Sequence, residues 1–167
     1  MKIFLIGPMG SGKSKIGRIL SEKLSISLFD IDKEIEKDLN MSITEIFASK
    51  GEIFFRNTET DYLIKTKGLR DCIVSTGGGV IEEIKNLEFL KKEANVVFLN
   101  CSVESQYENT KNSAKRPLLL TKDPKLTLQT LYEKRFDSYK EVSKLELLSD
   151  SMSNDEIANK IINHFNV

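Results

Sequence analysis

The sequence predicts an α/β fold, with a mainly parallel, five-stranded sheet covered by helices on both faces. Two observations predict it. Short apolar runs of strand length alternate with segments whose apolar residues recur at helical spacing. The first run also leads straight into "GPMGSGKS", Gly7 to Ser14, whose G-x-x-x-x-G-K-S spacing suits a strand–loop–helix phosphate site. Ligands of such sheets bind at the carboxyl ends of the strands, so functional residues are sought along that edge.

Taken in order, KIFLI (2–6) reads as a short buried strand. Ile16, Ile19, Leu20 and Leu24 then recur at helical spacing and predict a helix from about Lys13 to Leu24. SLFDI (27–31) is a second strand, CIVS (72–75) a third, NVVFLN (95–100) a fourth and LELL (145–148) a fifth. Ile157, Ile161, Ile162 and Phe165 mark a closing amphipathic helix, with Ser153 as N-cap and Glu156 completing a capping box. Two segments interrupt the alternation. Residues 33–67 are largely helical in pattern, and within them 33–61 are read as a substrate-side helical insertion. Residues 109–125 (NTKNSAKRPLLLTKDPK) are polar and basic, carry two prolines, and are read as a mobile lid over the site.

The chain has 167 residues, enough for one domain with its own core, and a self-sufficient monomer is expected. Lys plus Arg equals Asp plus Glu at 25 each, so no basic excess points to a nucleic-acid partner. The opening run is too short for a secretion signal, and no stretch approaches the ~18 apolar residues of a membrane span. A soluble, cytoplasmic protein is expected. Cys72 and Cys101 each sit in an apolar stretch and read as reduced, buried thiols. The single histidine, His164, falls on the exposed side of the last helix and is given no role.

The chemistry starts at the glycine-rich loop. Gly10 and Gly12 let the backbone wrap closely around a phosphate, and the helix that follows aims free N–H groups and its dipole at the anion. Lys13 can reach the outer phosphates, and the Ser14 hydroxyl can ligate Mg²⁺. The loop alone says nothing of the acceptor. In FDID, residues two apart on a strand share a side, so Asp30 and Asp32 can point together. One can hold Mg²⁺ through water while the other takes the proton of an attacking hydroxyl. Capping of the next helix competes with that reading for one aspartate. Arg56 and Glu59, at i and i+3 in "FFRNTETD", can pair, and a held arginine can grip a carboxylate. A plain surface pair remains open. "STGGG" (75–79) lets a small ligand approach the backbone, with Ser75 or Thr76 near the Mg²⁺ water shell. Arg116 in "KRPLL" can close on the phosphates, and Arg135 in "EKRFDSY" can be a second carboxylate clamp.

As a set these elements resemble shikimate kinase over nearly the whole chain. The matching residues are GPMGSGKS, the D-x-D of Asp30 and Asp32, F-R-x-x-E at Phe55, Arg56 and Glu59, the glycines 77–79, R-P-L at 116–118, and R-x-x-x-Y from Arg135 to Tyr139. The resemblance implies a three-layer P-loop fold of the nucleoside-monophosphate-kinase kind. It implies ATP-dependent phosphorylation of the 3-hydroxyl of shikimate, toward chorismate and the aromatic amino acids, with Mg²⁺ as cofactor. It places Gly10, Ser11, Gly12, Lys13, Ser14 and Lys15 at the ATP phosphates, with Arg116 also on ATP. Ser14 becomes the Mg²⁺ ligand, with Asp30 acting through water. Asp32, Arg56, Gly78 and Arg135 become the shikimate contacts, both arginines on its carboxylate and Asp32 as base. One departure stands out: many family members carry an adenine-packing arginine where this chain has Asn109, and nearby Lys111 lacks the planar group. A gluconate-kinase-like enzyme, an adenylate-kinase type and a non-catalytic nucleotide-binding module are the rival readings. Retention of Lys13, Asp32 and both arginines weighs against the module.

Overall fold

A computed structural model describes residues 1–113 and 116–167. Ala114 and Lys115, both in the stretch read as a lid, lie outside the described residues. The strands are β1 (Lys2–Ile6), β2 (Ser27–Asp30), β3 (Cys72–Ser75), β4 (Val96–Asn100) and β5 (Leu145–Leu148). They form one sheet in the order β2-β3-β1-β4-β5, every neighbour pair parallel. The helices are α1 (Lys13–Leu24), α2 (Ile31–Leu39), α3 (Ile43–Lys65), α4 (Ile84–Lys91), α5 (Val103–Thr110), α6 (Pro124–Val142) and α7 (Asn154–Phe165).

Strand alternation divides the core. Ile3 and Leu5 of β1, with Val97 and Leu99 of β4, face α1 and α7 through Ile16, Leu20, Ile157 and Ile161. Phe4, Ile6, Val96 and Phe98 face the other way, onto Ile31, Ile35, Phe55, Leu63 and Tyr139. The sheet is therefore buried on both sides, as all-parallel sheets require. β1 lies at the centre of the sheet, which sets the glycine-rich loop at its carboxyl end beside the ends of β3 and β4.

The predicted strands and the first and last helices are present, and Ser153 and Glu156 form the expected capping box. His164 is exposed on α7, and both cysteines are free and buried. The second strand ends one residue early. Ile31 and Asp32 belong to α2, because Asp30 caps that helix, accepting the Lys33 N–H at 3.4 Å. The shared direction expected of Asp30 and Asp32 along a strand therefore does not apply; a cap followed by a first helical turn sets them instead. The helical stretch 31–65 is two helices, with α3 itself kinked at Gly51 (φ 82°, ψ 168°), a conformation only glycine adopts readily. Neither 33 nor 61 coincides with an element boundary. In the 109–125 stretch, Asn109 and Thr110 still belong to α5, a short 3₁₀ turn spans Pro117–Leu119, and α6 starts at Pro124.

Candidate active site

The loop from Gly7 to Gly12 turns under a cleft of about 800 Å³ whose walls include Gly10 through Lys15. Gly10 and Gly12 take positive φ of 79° and 89°, which lets the chain curl back before α1 begins. No side chain caps α1, and no acidic residue stands in its first turn. Its leading N–H groups and dipole thus stay available to an anion. Lys13 folds over the loop and donates to the carbonyls of Gly7 and Pro8, each at 2.8 Å. Burial lowers its ammonium to about 8, and repulsion from Arg116 adds to this while Asp32 opposes it. A negative charge beside the ammonium would push it back up.

The Ser14 hydroxyl donates to Asp30 Oδ2 at 2.6 Å, so the two residues assigned to Mg²⁺ adjoin each other. Asp32 stands in the first turn of α2, 29 % exposed, with Arg116 Nη1 at 4.0 Å from its Oδ2. Its Oδ1 is buried without a hydrogen-bond partner. Burial raises the Asp32 carboxyl, Asp30 raises it further, and Arg116 and Lys13 pull the other way.

A second, narrow recess of about 40 Å³ opens behind Asp32. Met9, Asp32, Gly78 and Arg116 line both spaces. Arg56 and Arg135 form part of the recess wall, and both are buried. The helical pair predicted at Arg56 and Glu59 is present: Nη1 donates to Glu59 Oε2 at 2.7 Å, with Glu59 fully buried. Glu52 takes the other edge of Arg56, at 3.3 Å from Nε and 3.1 Å from Nη2. Burial works against the Arg56 charge, but Glu59 and Glu52 outweigh it. Glu59 is itself pushed up to about 7 by burial, which Arg56 only partly offsets.

The triglycine segment is where expectation and structure part in detail. Gly78 lines both spaces. The room left at Gly77 and Gly79 is taken by the protein's own groups: a Cβ on Gly77 would overlap the Glu59 carboxylate, and one on Gly79 the Arg56 guanidinium. Of Ser75 and Thr76, only Thr76 borders the cleft, and its hydroxyl donates to the Leu5 carbonyl at 3.0 Å. Asn109 Nδ2 donates to the Gly10 carbonyl at 2.9 Å, tying α5 to the loop, while Lys111 pairs with Glu108. Sequence reasoning missed Glu52 and Glu82, the partners of Arg56 and Arg135. The available signal was general, since a buried arginine needs a carboxylate, but nothing in the string says which arginines are buried.

The shikimate kinase family model matches residues 9–166. A shikimate kinase of Marinomonas sp. is 40% identical over 162 residues, covering 96% of this chain and 89% of that protein. The solved shikimate kinase of Acinetobacter baumannii in complex with shikimate superposes with a TM-score of 0.95 at 36% identity, covering 98% of this chain and 92% of that one. That of Aquifex aeolicus gives 0.86 at 32% identity, covering 99% and 96%. A deoxyadenosine kinase of M. mycoides, at 17% identity and a TM-score of 0.65, shares the fold.

Proposed function

The chain belongs to the shikimate kinase family, and from that premise we propose how its own residues divide the reaction. The enzyme phosphorylates shikimate with ATP, giving shikimate 3-phosphate in aromatic amino acid biosynthesis. Gly10 to Lys15 would bind the phosphates, with Lys13 and Arg116 drawing off charge from the transferring group. Arg56 and Arg135 would grip the shikimate carboxylate, and the Gly78 backbone would border the ring. Asp32 would hold the attacking hydroxyl and take its proton. Phosphoryl transfer passes through a loose transition state, so alignment and charge stabilisation matter more than a strong base. A carboxyl raised by burial is nonetheless a better proton acceptor than an ordinary aspartate.

The single observation that carries this division is the shared wall. Asp32 and Arg116 border both the phosphate cleft and the acceptor recess, and Asp32 keeps one buried oxygen unpartnered. Steady-state ADP release from Mg-ATP, with shikimate, gluconate or AMP as acceptor, tests it. Asp32→Asn should lower kcat for shikimate by about 10² with both KM values held, since general-base roles are worth roughly 10²–10⁴. An unchanged kcat would remove Asp32 from the chemistry.

The donor set suits Mg²⁺: a hydroxyl and a carboxylate, Ser14 and Asp30, lie side by side below the phosphate loop. Among the described residues no group of three or more His, Cys, Asp or Glu gathers. That fits an ion bound mainly through phosphate and water. When bound, Mg²⁺ neutralises phosphate charge. We read 33–61 as the acceptor-binding insertion and 109–125 as the lid, because Arg116 in the latter borders both spaces. We read the protein as a cytoplasmic monomer without a nucleic-acid partner, on its size and zero formal net charge. No helix among the described residues is long and apolar enough to cross a membrane.

A further inference from the structure

Arg135 is 3 % exposed, and its whole Nε–Nη2 edge rests on one atom. Nε donates to Glu82 Oε1 at 2.7 Å, and Nη2 donates to the same oxygen. The other Glu82 oxygen accepts from Lys134 Nζ at 2.6 Å. Glu82 closes the 3₁₀ turn directly after the triglycine segment, and its own N–H donates to the Gly79 carbonyl at 2.9 Å. One turn further along α6, Tyr139 donates to the Gly78 carbonyl. Helix α6 therefore grips the triglycine segment directly at Tyr139 and, one turn earlier, the turn that follows the segment through Arg135.

Only one of the two partners reaches the recess. Arg135 lines the acceptor recess, and Glu82 does not. Glu82 and Lys134 instead border an outer hollow, which Arg135 lines as well. Glu82 thus holds Arg135 from outside the recess, by Nε and Nη2 and not by Nη1. Lys134 on the second oxygen leaves the trio with two cations and one anion, so Glu82 orients Arg135 without cancelling its charge. Burial alone would favour the protonated Glu82; Lys134 and Arg135 outweigh it and hold the carboxyl low.

We propose that Glu82 is a positioning residue for acceptor choice: it fixes Arg135 by its Nε–Nη2 edge and so holds the guanidinium in the recess wall, ready for the carboxylate of the acceptor. The proposal rests on the reading of Arg135 as a carboxylate clamp. A guanidinium already held in place loses less freedom when an acid binds, so its preference for a planar anion rises. The neutral ester of the same acid gains nothing from this arrangement.

The test is the dissociation constant of shikimate and of methyl shikimate, by NMR titration of the full chain. Glu82→Ala should weaken shikimate about tenfold, or about 1.4 kcal/mol. The near-isosteric Glu82→Gln should weaken it less, and methyl shikimate and ATP should bind as before. Thermal melts check that each variant is folded. Equal weakening of acid and ester would make Glu82 a mere support of the triglycine turn and overturn the proposal. No change in either ligand would overturn it too. Arg135→Ala separates the two layers: if it leaves the acid-over-ester preference intact, the clamp reading itself fails, whatever Glu82 does.

Discussion

The donor cleft and the acceptor recess share Met9, Asp32, Gly78 and Arg116, yet they are built in opposite ways. The phosphate side of the donor cleft is mostly backbone from one short stretch. Its N–H groups, three glycines of positive φ and a lysine lie within Gly7–Ser14, where β1 gives way to α1. The acceptor recess is mostly side chain, drawn from α2, α3, the triglycine segment and α6. Two of its arginines are buried and already paired, Arg56 with Glu59 and Glu52, Arg135 with Glu82. A backbone cradle tolerates change in its surroundings, because each peptide supplies its own donor. A recess of buried ion pairs does not, because removing one member strands the other.

The largest expected effect lies on the donor side. Lys13→Ala should cut kcat by roughly 10²–10³, the range for removing a donor that faces developing charge. Single-turnover ADP release reads it, and near-normal turnover would take Lys13 out of the transfer. On the acceptor side Arg56→Ala should raise the shikimate dissociation constant roughly ten- to a hundredfold, since a hydrogen bond to a charged group is worth about 1.5–3 kcal/mol. ATP affinity should stay put in the same calorimetric titrations; equal losses for both ligands would erase the contrast between the two halves.

The smallest effect concerns the acceptor side's buried acid. Glu59 rises from an ordinary 4.5 to about 7 because it is buried. The folded protein therefore holds that proton more tightly than the unfolded chain. The resulting stabilisation is complete below pH 4.5 and is lost as pH climbs through about 7. Glu59→Gln should flatten this fall in Tm, by a few degrees at most. A variant whose Tm falls as steeply as the parent's would place the titrating group elsewhere.

The same contrast explains what could be read in advance. The strands and the first and last helices follow from short-range pattern, and so does the Ser153–Glu156 capping box. The phosphate loop is legible for the same reason, since its parts are neighbours in the chain. The Arg56–Glu59 pair was visible because i and i+3 meet on any helix. Asp30 and Asp32 were harder. The string FDID runs on from a strand pattern, and only the capping bond to Lys33 shows that the strand has ended. The triglycine segment signalled close approach, but its flanking glycines yield to Glu59 and Arg56 rather than to a ligand.

By itself the sequence determined the α/β alternation, the glycine-rich loop between the first strand and helix, and the residue types an acid acceptor would need. Tertiary structure alone decided which distant groups meet. Glu82 reaches Arg135 across 53 positions, and Asn109 reaches Gly10 across 99. Local geometry repeats wherever a local pattern recurs. A pairing between distant residues depends on strand order, helix packing and burial, which belong to the whole chain at once.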